Sequence, residues 1–276
     1  MADAITLIGY GEAGSTFARA GDWGQVASGN RGTRVWDLRP ERLEVAAQDG
    51  LTQASDAGHA LDGANLVLSL VTADSALPAA QDYAALLPKG AVWCDGNSVA
   101  PDTKREAAKA VEVAGALYVD MAILAPVDPA RLNVPLLLAG KAAAQAEALL
   151  RAAGFANIRI VGDEVGRASA IKMIRSVMVK GVEALTAEMM LAAQAAGVVE
   201  EVLASLDASE KPKPWGQKAA YNIERMVTHG LRRAAEMEES VKTLSGLGVE
   251  PMMTSGTVLR QRDMAGRKDR LIETQE

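Results

Sequence analysis

A lysine in an otherwise apolar helical pattern is the residue of this sequence best suited to acid/base chemistry. Lys172 lies on the apolar face of a long helical segment, soon after the pattern of strands ends. A lysine among apolar neighbours is partly desolvated, which lowers the pKa of its ammonium toward the range useful for proton transfer. Lys172 is therefore a candidate acid/base group. The alternative is a helical lysine whose ammonium extends to water.

Three glycines near the start of the sequence could bind phosphate. They follow an apolar run, residues 5–8, have the spacing G-x-G-x-x-G and precede a helix-forming segment. Such glycines permit a tight turn, close approach of the backbone to phosphates and close packing of helix on strand, and the helix N-terminus attracts the anion. The pattern predicts a dinucleotide site, and a turn without a ligand is the alternative. The residues expected to form the site are Gly9, Tyr10, Gly11, Glu12, Ala13 and Gly14.

An acid at the end of the second predicted strand, residues 33–37, bears on which dinucleotide binds. Asp37 follows the glycines by about 20 residues, where a carboxylate can accept hydrogen bonds from the adenosine ribose. A carboxylate repels a 2′-phosphate, so Asp37 favours NAD over NADP. Arg31, Arg34 and Arg39 lie nearby and could accommodate that phosphate, so NADP stays open, and Arg39 is counted among the cofactor contacts. Asp37 could also cap the next helix.

These groups are positioned by a chain that we expect to form two domains. Its 276 residues, 49% of them hydrophobic, are enough for about two cores. Strand patterns alternate with helical ones up to about residue 162, and their continuous apolar runs are typical of a parallel sheet buried on both faces. Only helical patterns follow. We expect an α/β fold, with a Rossmann-like, doubly wound, mainly parallel sheet over residues 1–163 and an all-α domain of about five helices over residues 164–276.

The segments that follow the predicted strands should meet at one edge of the sheet. Ligands of open α/β sheets bind beyond the carboxyl ends of the strands, so these segments would line a cleft, with Lys172 closing it from the helical domain. Val71 and Thr72 are expected on the cofactor side. The other residues predicted there are Asn97 and Ser98 after the next strand, and Asp120, Met121 and Ala122 after the one that follows.

The composition argues against several classes of partner and ligand. A net charge of −6 and a pI near 5.2 disfavour nucleic acid, which requires clustered lysine and arginine. No apolar run reaches the roughly 18 to 20 residues of a membrane helix, and no spacing of His, Cys and Asp suits a metal. Cys94, the single cysteine, lies in an apolar strand and is expected to be a buried small hydrophobe. One cysteine and the lack of a signal peptide lead us to expect a cytoplasmic protein.

Several of these motifs together resemble the β-hydroxyacid dehydrogenase superfamily, which includes 6-phosphogluconate and 3-hydroxyisobutyrate dehydrogenases. The resemblance covers nearly the whole chain. Residues 172–176 and 229–239 are further similar to a branch whose C-terminal domain is phosphogluconate-dehydrogenase-like. The motifs that carry the resemblance are the glycine turn, Asp95-Gly96-Asn97-Ser98, Asp120, and Gly166 followed by Lys172.

The resemblance implies a reaction and a role for each motif. It implies hydride transfer between nicotinamide and the hydroxyl or carbonyl carbon of a hydroxyacid-type substrate. Lys172 would be the general acid/base, Ser98 and Asn97 would lie near nicotinamide and substrate, and the segment that begins at Asp120 would hold the substrate carboxylate. The partner implied is a small substrate that bears a carboxylate.

The sequence departs from the family pattern at two places. Leu124-Ala125-Pro126 stands where the family segment ends in Ser-Gly-Gly, which removes a hydroxyl donor and, at Pro126, an N–H. Arg175 stands one turn after Lys172, where the family usually has asparagine. We interpret both changes as an altered substrate, less polar at one end, whose anion is held by Arg175. A salt bridge from Arg175 to Glu183 or Glu188 is the alternative.

The helical domain could complete the site. Ser176 beside Lys172, and His229 and Arg233 in the last long helix, are further candidate substrate contacts, although a helix-surface position suits His229 as well. The superfamily implies a homodimer through this domain. Arg232, Arg233 and Glu236, one turn after His229, could then complete the cleft of a partner subunit. Two other functions stay open. Related folds reduce C=N bonds, which allows an imine reductase, and the changed 124–126 segment allows a non-catalytic dinucleotide-binding protein.

Overall fold

The computed structural model describes residues 5–25, 32–209 and 214–270, and Arg31 lies outside this part of the chain. The chain divides into two compact units, Met1–Ser176 and Val177–Glu276. This division falls inside a long helix, later in the chain than the predicted boundary between residues 163 and 164.

Eight strands form the sheet of the first unit. They are β1 (Ile5–Ile8), β2 (Arg34–Trp36), β3 (Thr52–Gln53), β4 (Leu66–Ser69), β5 (Val92–Asp95), β6 (Leu117–Ile123), β7 (Leu136–Ala139) and β8 (Ile158–Gly162). Their order across the sheet is β3-β2-β1-β4-β5-β6-β7-β8. All neighbouring pairs are parallel except β6 and β7. The expected doubly wound, mainly parallel sheet is confirmed. The direction of winding reverses between β1 and β4, which is where such sheets bind ligands.

Ten α-helices complete the described chain. They are α1 (Glu12–Ala20), α2 (Pro40–Gln48), α3 (Ala57–Leu61), α4 (Ala76–Tyr83), α5 (Pro101–Val113), α6 (Ala143–Ala152), α7 (Arg167–Ala196), α8 (Val199–Ser209), α9 (Trp215–Gly246) and α10 (Met252–Met264). A proline at the first position of α2 and of α5 has the φ of a helix and needs no N–H there. Helices alone occur in the described part beyond β8, so the all-α C-terminal part is confirmed, with four α-helices against about five expected.

The core lies on both faces of the sheet. Leu7 and Leu68 belong to one buried cluster, whereas their neighbours Ile8 and Val67 belong to another, because successive side chains of a strand point to opposite faces. Cys94 of β5 packs in the first cluster. Burial raises the pKa of its thiol to about 12, so Cys94 is a core residue, as expected.

Strand β6 is longer than predicted, and it includes three expected substrate contacts. We expected a strand over residues 116–120 and a ligand-binding turn after it. Instead, β6 continues to Ile123 because β7 pairs with it in antiparallel fashion. Asp120, Met121 and Ala122 are 0%, 0% and 2% exposed and lie in the interior, so their predicted contact with substrate has no open surface in this structure.

Candidate active site

Lys172 and Ser98 meet in the first unit. Lys172 is half-buried on α7, and its Nζ donates a hydrogen bond of 2.6 Å to Oγ of Ser98, which follows β5. Both residues line a cavity of about 400 Å³. The structure thus brings together two residues that the sequence singled out separately. The lining consists of Glu12, Ala13, Leu70, Val71, Ala73, Gly96, Asn97, Ser98, Ile123, Ala125, Pro126, Val127 and Lys172.

Most residues that line this Lys172 cavity are apolar, although polar atoms make up somewhat more than half of its exposed surface. Four of its lining residues, Glu12, Asn97, Ser98 and Lys172, carry polar side chains, and Lys172 is the only cation among the described lining residues. Asn97 is 5% exposed and donates through Nδ2 to Asp95 and Ser69, at 2.7 and 3.0 Å. The cavity can therefore hold a small organic molecule beside one group able to transfer a proton.

The glycine turn has the geometry that a phosphate requires. Gly9 has a φ of +94°, and a Cβ there would lie 2.6 Å from the main-chain oxygen of Leu70. A Cβ at Gly14 would lie 2.8 Å from the oxygen of Gly9, so this glycine permits the close packing of helix on strand. At Gly11 no atom lies within 4 Å of an added Cβ, and no side chain caps the N-terminus of α1. The open space beside Gly11 and the uncapped N–H groups at the start of α1 fit the pyrophosphate of a dinucleotide.

A second cavity, of about 540 Å³, begins at this turn. It shares Glu12, Leu70 and Val71 with the Lys172 cavity, so the two are neighbours along the same edge of the sheet. Ala13 borders the Lys172 cavity, and Thr72 borders the second cavity. The lining of the second cavity is Ile8, Gly9, Gly11, Glu12, Trp36, Asp37, Leu38, Arg39, Leu70, Val71, Thr72, Asp74, Ser75, Pro78, Ala79, Asp82 and Tyr83.

Asp37 lies in this second cavity with Arg39 beside it. Its Oδ2 accepts the N–H of Tyr10 at 2.8 Å, and its Oδ1 accepts the N–H of Arg39 at 3.0 Å and lies 3.2 Å from the Arg39 guanidinium. Burial raises the pKa of Asp37, but the hydrogen bonds from Arg39 and Tyr10 lower it further than burial raises it. The pKa therefore lies below its usual value, and Asp37 is a carboxylate at neutral pH.

Two residues of the predicted cofactor region have structural roles instead. The ring of Tyr10 is 0% exposed, its hydroxyl donates to Asp49 at 2.7 Å, and its N–H is engaged by Asp37, which corrects the expectation that it contacts the cofactor. Arg34 is 9% exposed and donates to the main-chain oxygens of His59 and Asp62. Arg34 thus binds the end of α3 and is not placed to accommodate a phosphate.

The residues beside Lys172 on α7 do not line its cavity. Arg175 donates through Nη1 to the main-chain oxygen of Leu124 at 3.0 Å, so it supports the segment whose next residues border the cavity. Ser176 donates to the main-chain oxygen of Lys172 at 2.9 Å, within the helix. The predicted contacts of both residues with substrate stay predictions. Of the two acids named as alternative partners of Arg175, Glu188 bonds to α10, and the side chain of Glu183 lies outside the described part.

His229 and Arg233 lie on α9, in the second unit, where both are half-buried. Their predicted contact with substrate stays a prediction. The sequence reasoning missed Lys104 and named Asp95 only as part of the motif that contains Ser98; the two residues are 0% and 1% exposed. A signal existed, because Lys104 stands at helical spacing with Ala107, Ala108 and Val111 on the face of α5 that is otherwise apolar.

Comparison with known proteins identifies the class to which this fold and site belong. Residues 4–162 match the NAD-binding domain of 6-phosphogluconate dehydrogenase, and residues 193–264 match a domain of unknown function, DUF1932. The chain therefore belongs to the family of 6-phosphogluconate dehydrogenase-type NAD-binding domains. A nicotinamide dinucleotide is its cofactor, in agreement with the glycine turn.

Three solved structures are similar over most of the chain. A conserved hypothetical protein from Sinorhizobium meliloti 1021 is 34% identical, with a TM-score of 0.62 over 99% of this chain and 92% of the other. A conserved protein of unknown function, described as similar to 3-hydroxyacid dehydrogenases, is 28% identical, with a TM-score of 0.59 over 95% and 96%. An imine reductase variant from Myxococcus stipitatus in complex with NAD+ is 22% identical, with a TM-score of 0.75 over 95% and 94%, which shows a shared fold.

The part of the chain that the structure describes has neither a membrane-spanning helix nor a cluster of metal ligands. None of the helices found there is long and apolar enough to cross a membrane. Within the same residues, no group of three or more His, Cys, Asp or Glu side chains could hold a metal ion.

Proposed function

We propose that this protein is an NAD(P)-dependent oxidoreductase acting on the hydroxyl or carbonyl carbon of a small hydroxyacid-type substrate, with Lys172 as general acid/base. The observation that supports the proposal is the 2.6 Å hydrogen bond from Nζ of Lys172 to Oγ of Ser98, in a cavity that shares lining residues with the cavity at the glycine turn. A group able to move a proton thus lies beside the cavity that fits the dinucleotide.

Different residues would bind the cofactor and transfer the proton. Gly9, Gly11 and the N-terminus of α1 would hold the pyrophosphate, and Asp37 the adenosine ribose. Hydride donation or acceptance is the chemistry that such a cofactor supplies when bound. In reduction, Nζ of Lys172 donates a proton to the carbonyl oxygen, and in oxidation the neutral amine accepts the hydroxyl proton. The hydroxyl of Ser98 accepts one N–H of Lys172 and so orients the other N–H bonds.

NAD is the cofactor that the second cavity favours. Four carboxylates, those of Glu12, Asp37, Asp74 and Asp82, are among its described lining residues, against one cation, Arg39. That cation is already engaged by Asp37. An additional 2′-phosphate would meet a surplus of negative charge there, whereas ribose hydroxyls can donate to Asp37.

The lining of the Lys172 cavity supports a second candidate reaction. No arginine is among its described lining residues, and most of them have apolar side chains, so the cavity can accommodate a substrate with an apolar body. An imine with an apolar body would also fit, and one of the structures with the same fold is an imine reductase. Lys172 would then protonate nitrogen instead of oxygen. Arg175 stays the residue predicted to hold a substrate carboxylate.

A substrate panel tests the proposal. Hydroxyacids, their carbonyl counterparts and cyclic imines are each mixed with the reduced or oxidised form of either cofactor, and absorbance of the reduced nicotinamide is followed. Turnover of a hydroxyacid or its carbonyl counterpart is the expected result, and turnover of imines alone would favour the second candidate. Tight binding of NADH without turnover of any compound would contradict both and favour a non-catalytic dinucleotide-binding protein.

We also propose that the protein is a cytoplasmic homodimer that associates through the helical unit. Large apolar side chains are exposed on that unit taken by itself, and a second copy would remove them from water. Light scattering should give a mass of about twice 28.9 kDa. The exposed side chains include Val182, Leu185, Leu191, Leu203, Leu206, Leu231 and Leu259.

A further inference from the structure

A lysine with no exposure to solvent lies behind the candidate active site. Nζ of Lys104 donates to the main-chain oxygen and to Oδ1 of Asp95, at 2.5 and 2.9 Å, and lies 3.7 Å from Oδ1 of Asp120. A lysine is almost never fully buried unless it is paired, because removal of its charge from water is costly. Here two buried carboxylates, neighbours in the register of β5 and β6, compensate it. The proposed proton transfer makes no use of this lysine.

One of the two carboxylates anchors the turn that carries Ser98. Oδ1 of Asp95 accepts the main-chain N–H and an Nδ2–H of Asn97, at 2.9 and 2.7 Å, and its Oδ2 accepts the hydroxyl of Tyr118 at 2.6 Å. These bonds hold the chain immediately before Ser98 against the interior. The position of the Ser98 hydroxyl therefore depends on the position of Asp95.

The other carboxylate anchors the helix that carries Lys172. Oδ2 of Asp120 accepts the main-chain N–H of Gly166 at 3.1 Å, and the N–H and hydroxyl of Ser169 at 2.9 and 3.1 Å. A carboxylate at the start of α7 is also favoured by the helix dipole. Lys172 lies three residues after Ser169 and so projects from the same face, one turn further along.

We propose that Lys104 is a positioning residue that sets the distance between Ser98 and Lys172. By pairing with Asp95 and lying close to Asp120, it offsets the repulsion between two adjacent buried carboxylates, one of which holds the Ser98 turn and the other the start of α7. The inference rests on the proposed function, in which Lys172 moves the proton. Without Lys104 the two anchors repel, and the hydrogen bond between Ser98 and Lys172 loosens.

A double-mutant cycle on the reactivity of Lys172 tests this proposal. Acetic anhydride modifies free amines, and mass spectrometry of the peptide that contains Lys172 gives its rate of modification at a fixed pH, without substrate or cofactor. The proteins compared are the native chain, Lys104→Met, Ser98→Ala and the double variant. The direct electrostatic effect of removing the Lys104 charge on Lys172 is the same with Ser98 and with Ser98→Ala, so it cancels when the two fold-changes are compared. Only an effect transmitted through Ser98 differs between them.

We expect Lys104→Met to change the acetylation rate of Lys172 in both backgrounds. The fold-change should be roughly three to ten times larger in the chain with Ser98 than in the chain with Ser98→Ala. Equal factors in the two backgrounds would overturn the proposal. Lys109→Met is the matched control, because Lys109 is an exposed lysine on the same helix. This control should leave the rate unchanged in both backgrounds.

Two further measurements separate positioning from folding and from the proposed function. If a substrate is found, Lys104→Met should lower kcat while the Kd for NADH is unchanged, because the glycine turn makes no contact with Lys104. If no substrate is found, the proposed function fails while the rates of modification still decide the role of Lys104. Should Lys104→Met not fold, Lys104→Gln, which retains a donor for Asp95, replaces it. If neither variant folds, Lys104 has a role in folding alone, and the proposal is overturned.

Discussion

Nζ of Lys172 and Oγ of Ser98 are 2.6 Å apart, although 74 positions separate them in the sequence. One residue lies on α7 and the other on the turn after β5, so the contact depends on how helix and sheet edge are held together. A hydrogen bond in which the donor is charged is shorter and stronger than a neutral one. The contact therefore orients the lysine within the cavity, and it is the feature on which the proposed reaction depends.

Replacement of Lys172 by alanine should abolish most of the turnover and leave cofactor binding intact. A positioned acid/base group contributes roughly 10²- to 10⁴-fold to a rate, so kcat should fall by about that factor. The Kd for NADH, measured by fluorescence, should not change. Lys141→Ala, at an exposed lysine of the first unit, is the control. Turnover equal to that of the native chain would eliminate Lys172 as the acid/base.

Two alanine substitutions in the glycine turn should affect different properties: Gly11→Ala the affinity for NADH, and Gly14→Ala the free energy of unfolding. Gly11→Ala places a methyl group in open space at a φ of −80°, so the free energy of unfolding should stay within about 0.5 kcal/mol of the native value. The same methyl group stands where phosphate must approach, so the affinity for NADH should fall roughly tenfold or more.

Gly14→Ala should instead destabilise the first unit by about 1–3 kcal/mol, because its methyl group would lie 2.8 Å from the main-chain oxygen of Gly9. Denaturant unfolding and NADH titration measure both variants. Native NADH affinity in a folded Gly11→Ala protein would contradict the predicted phosphate site.

Asp37→Asn should shift the cofactor preference toward NADPH. The amide retains an acceptor for the N–H of Tyr10 but removes the charge that repels a 2′-phosphate, so the NADPH to NADH affinity ratio should rise about tenfold. Because the pKa of Asp37 is below its usual value of 3.8, Asp37 is ionised at both pH 5 and pH 8. A change in the native preference between these pH values would therefore come from the 2′-phosphate of NADPH, whose second pKa is about 6. The stability that ionised Asp37 contributes is present above pH 3.8 and is lost only as the pH falls through the lowered pKa. An unchanged ratio in the variant would refute this role of Asp37.

Glu188→Ala should weaken the helical unit. Oε2 of Glu188 accepts the N–H of Met253 at 2.7 Å, and its Oε1 accepts the N–H of Thr254 at 2.9 Å, which caps the start of α10. Loss of such a cap costs about 1–2 kcal/mol in the free energy of unfolding. Asp207→Ala, at an exposed acid of α8, should cost far less.

The stabilisation from Glu188 should also depend on pH. Burial raises the pKa of Glu188, but the hydrogen bonds from Thr254 and Met253 lower it below 4.5. The stabilisation is therefore present above that value and is lost as the pH falls through the lowered pKa. Thermal unfolding at several pH values, with native and Glu188→Ala proteins side by side, measures this loss. Parallel pH dependence in the two proteins would contradict the capping role.

Local spacing in the sequence determined the parts of the site that depend on neighbouring residues. Gly9, Gly11 and Gly14 act within one turn and one helix start, so their spacing suffices to predict the phosphate site. Asp37 directly follows β2, so it lies at the carboxyl end of a strand, where parallel sheets bind ligands. The alternation of strand and helical patterns predicted the sheet, and the apolar strand around Cys94 predicted that this residue lies in the core, because both patterns are local.

Only the tertiary structure decided which groups face the cavity, because that depends on contacts between distant segments. Pairing with β7 extends β6 and removes Asp120 from the cleft. The main-chain oxygen of Leu124 engages Arg175, and Asp49 engages the hydroxyl of Tyr10. The apolar face of α5 indicates in sequence that Lys104 is buried, but only the register that sets Asp95 beside Asp120 supplies its partners. Spacing along the chain could indicate Lys172, but long-range packing brings Ser98 to it.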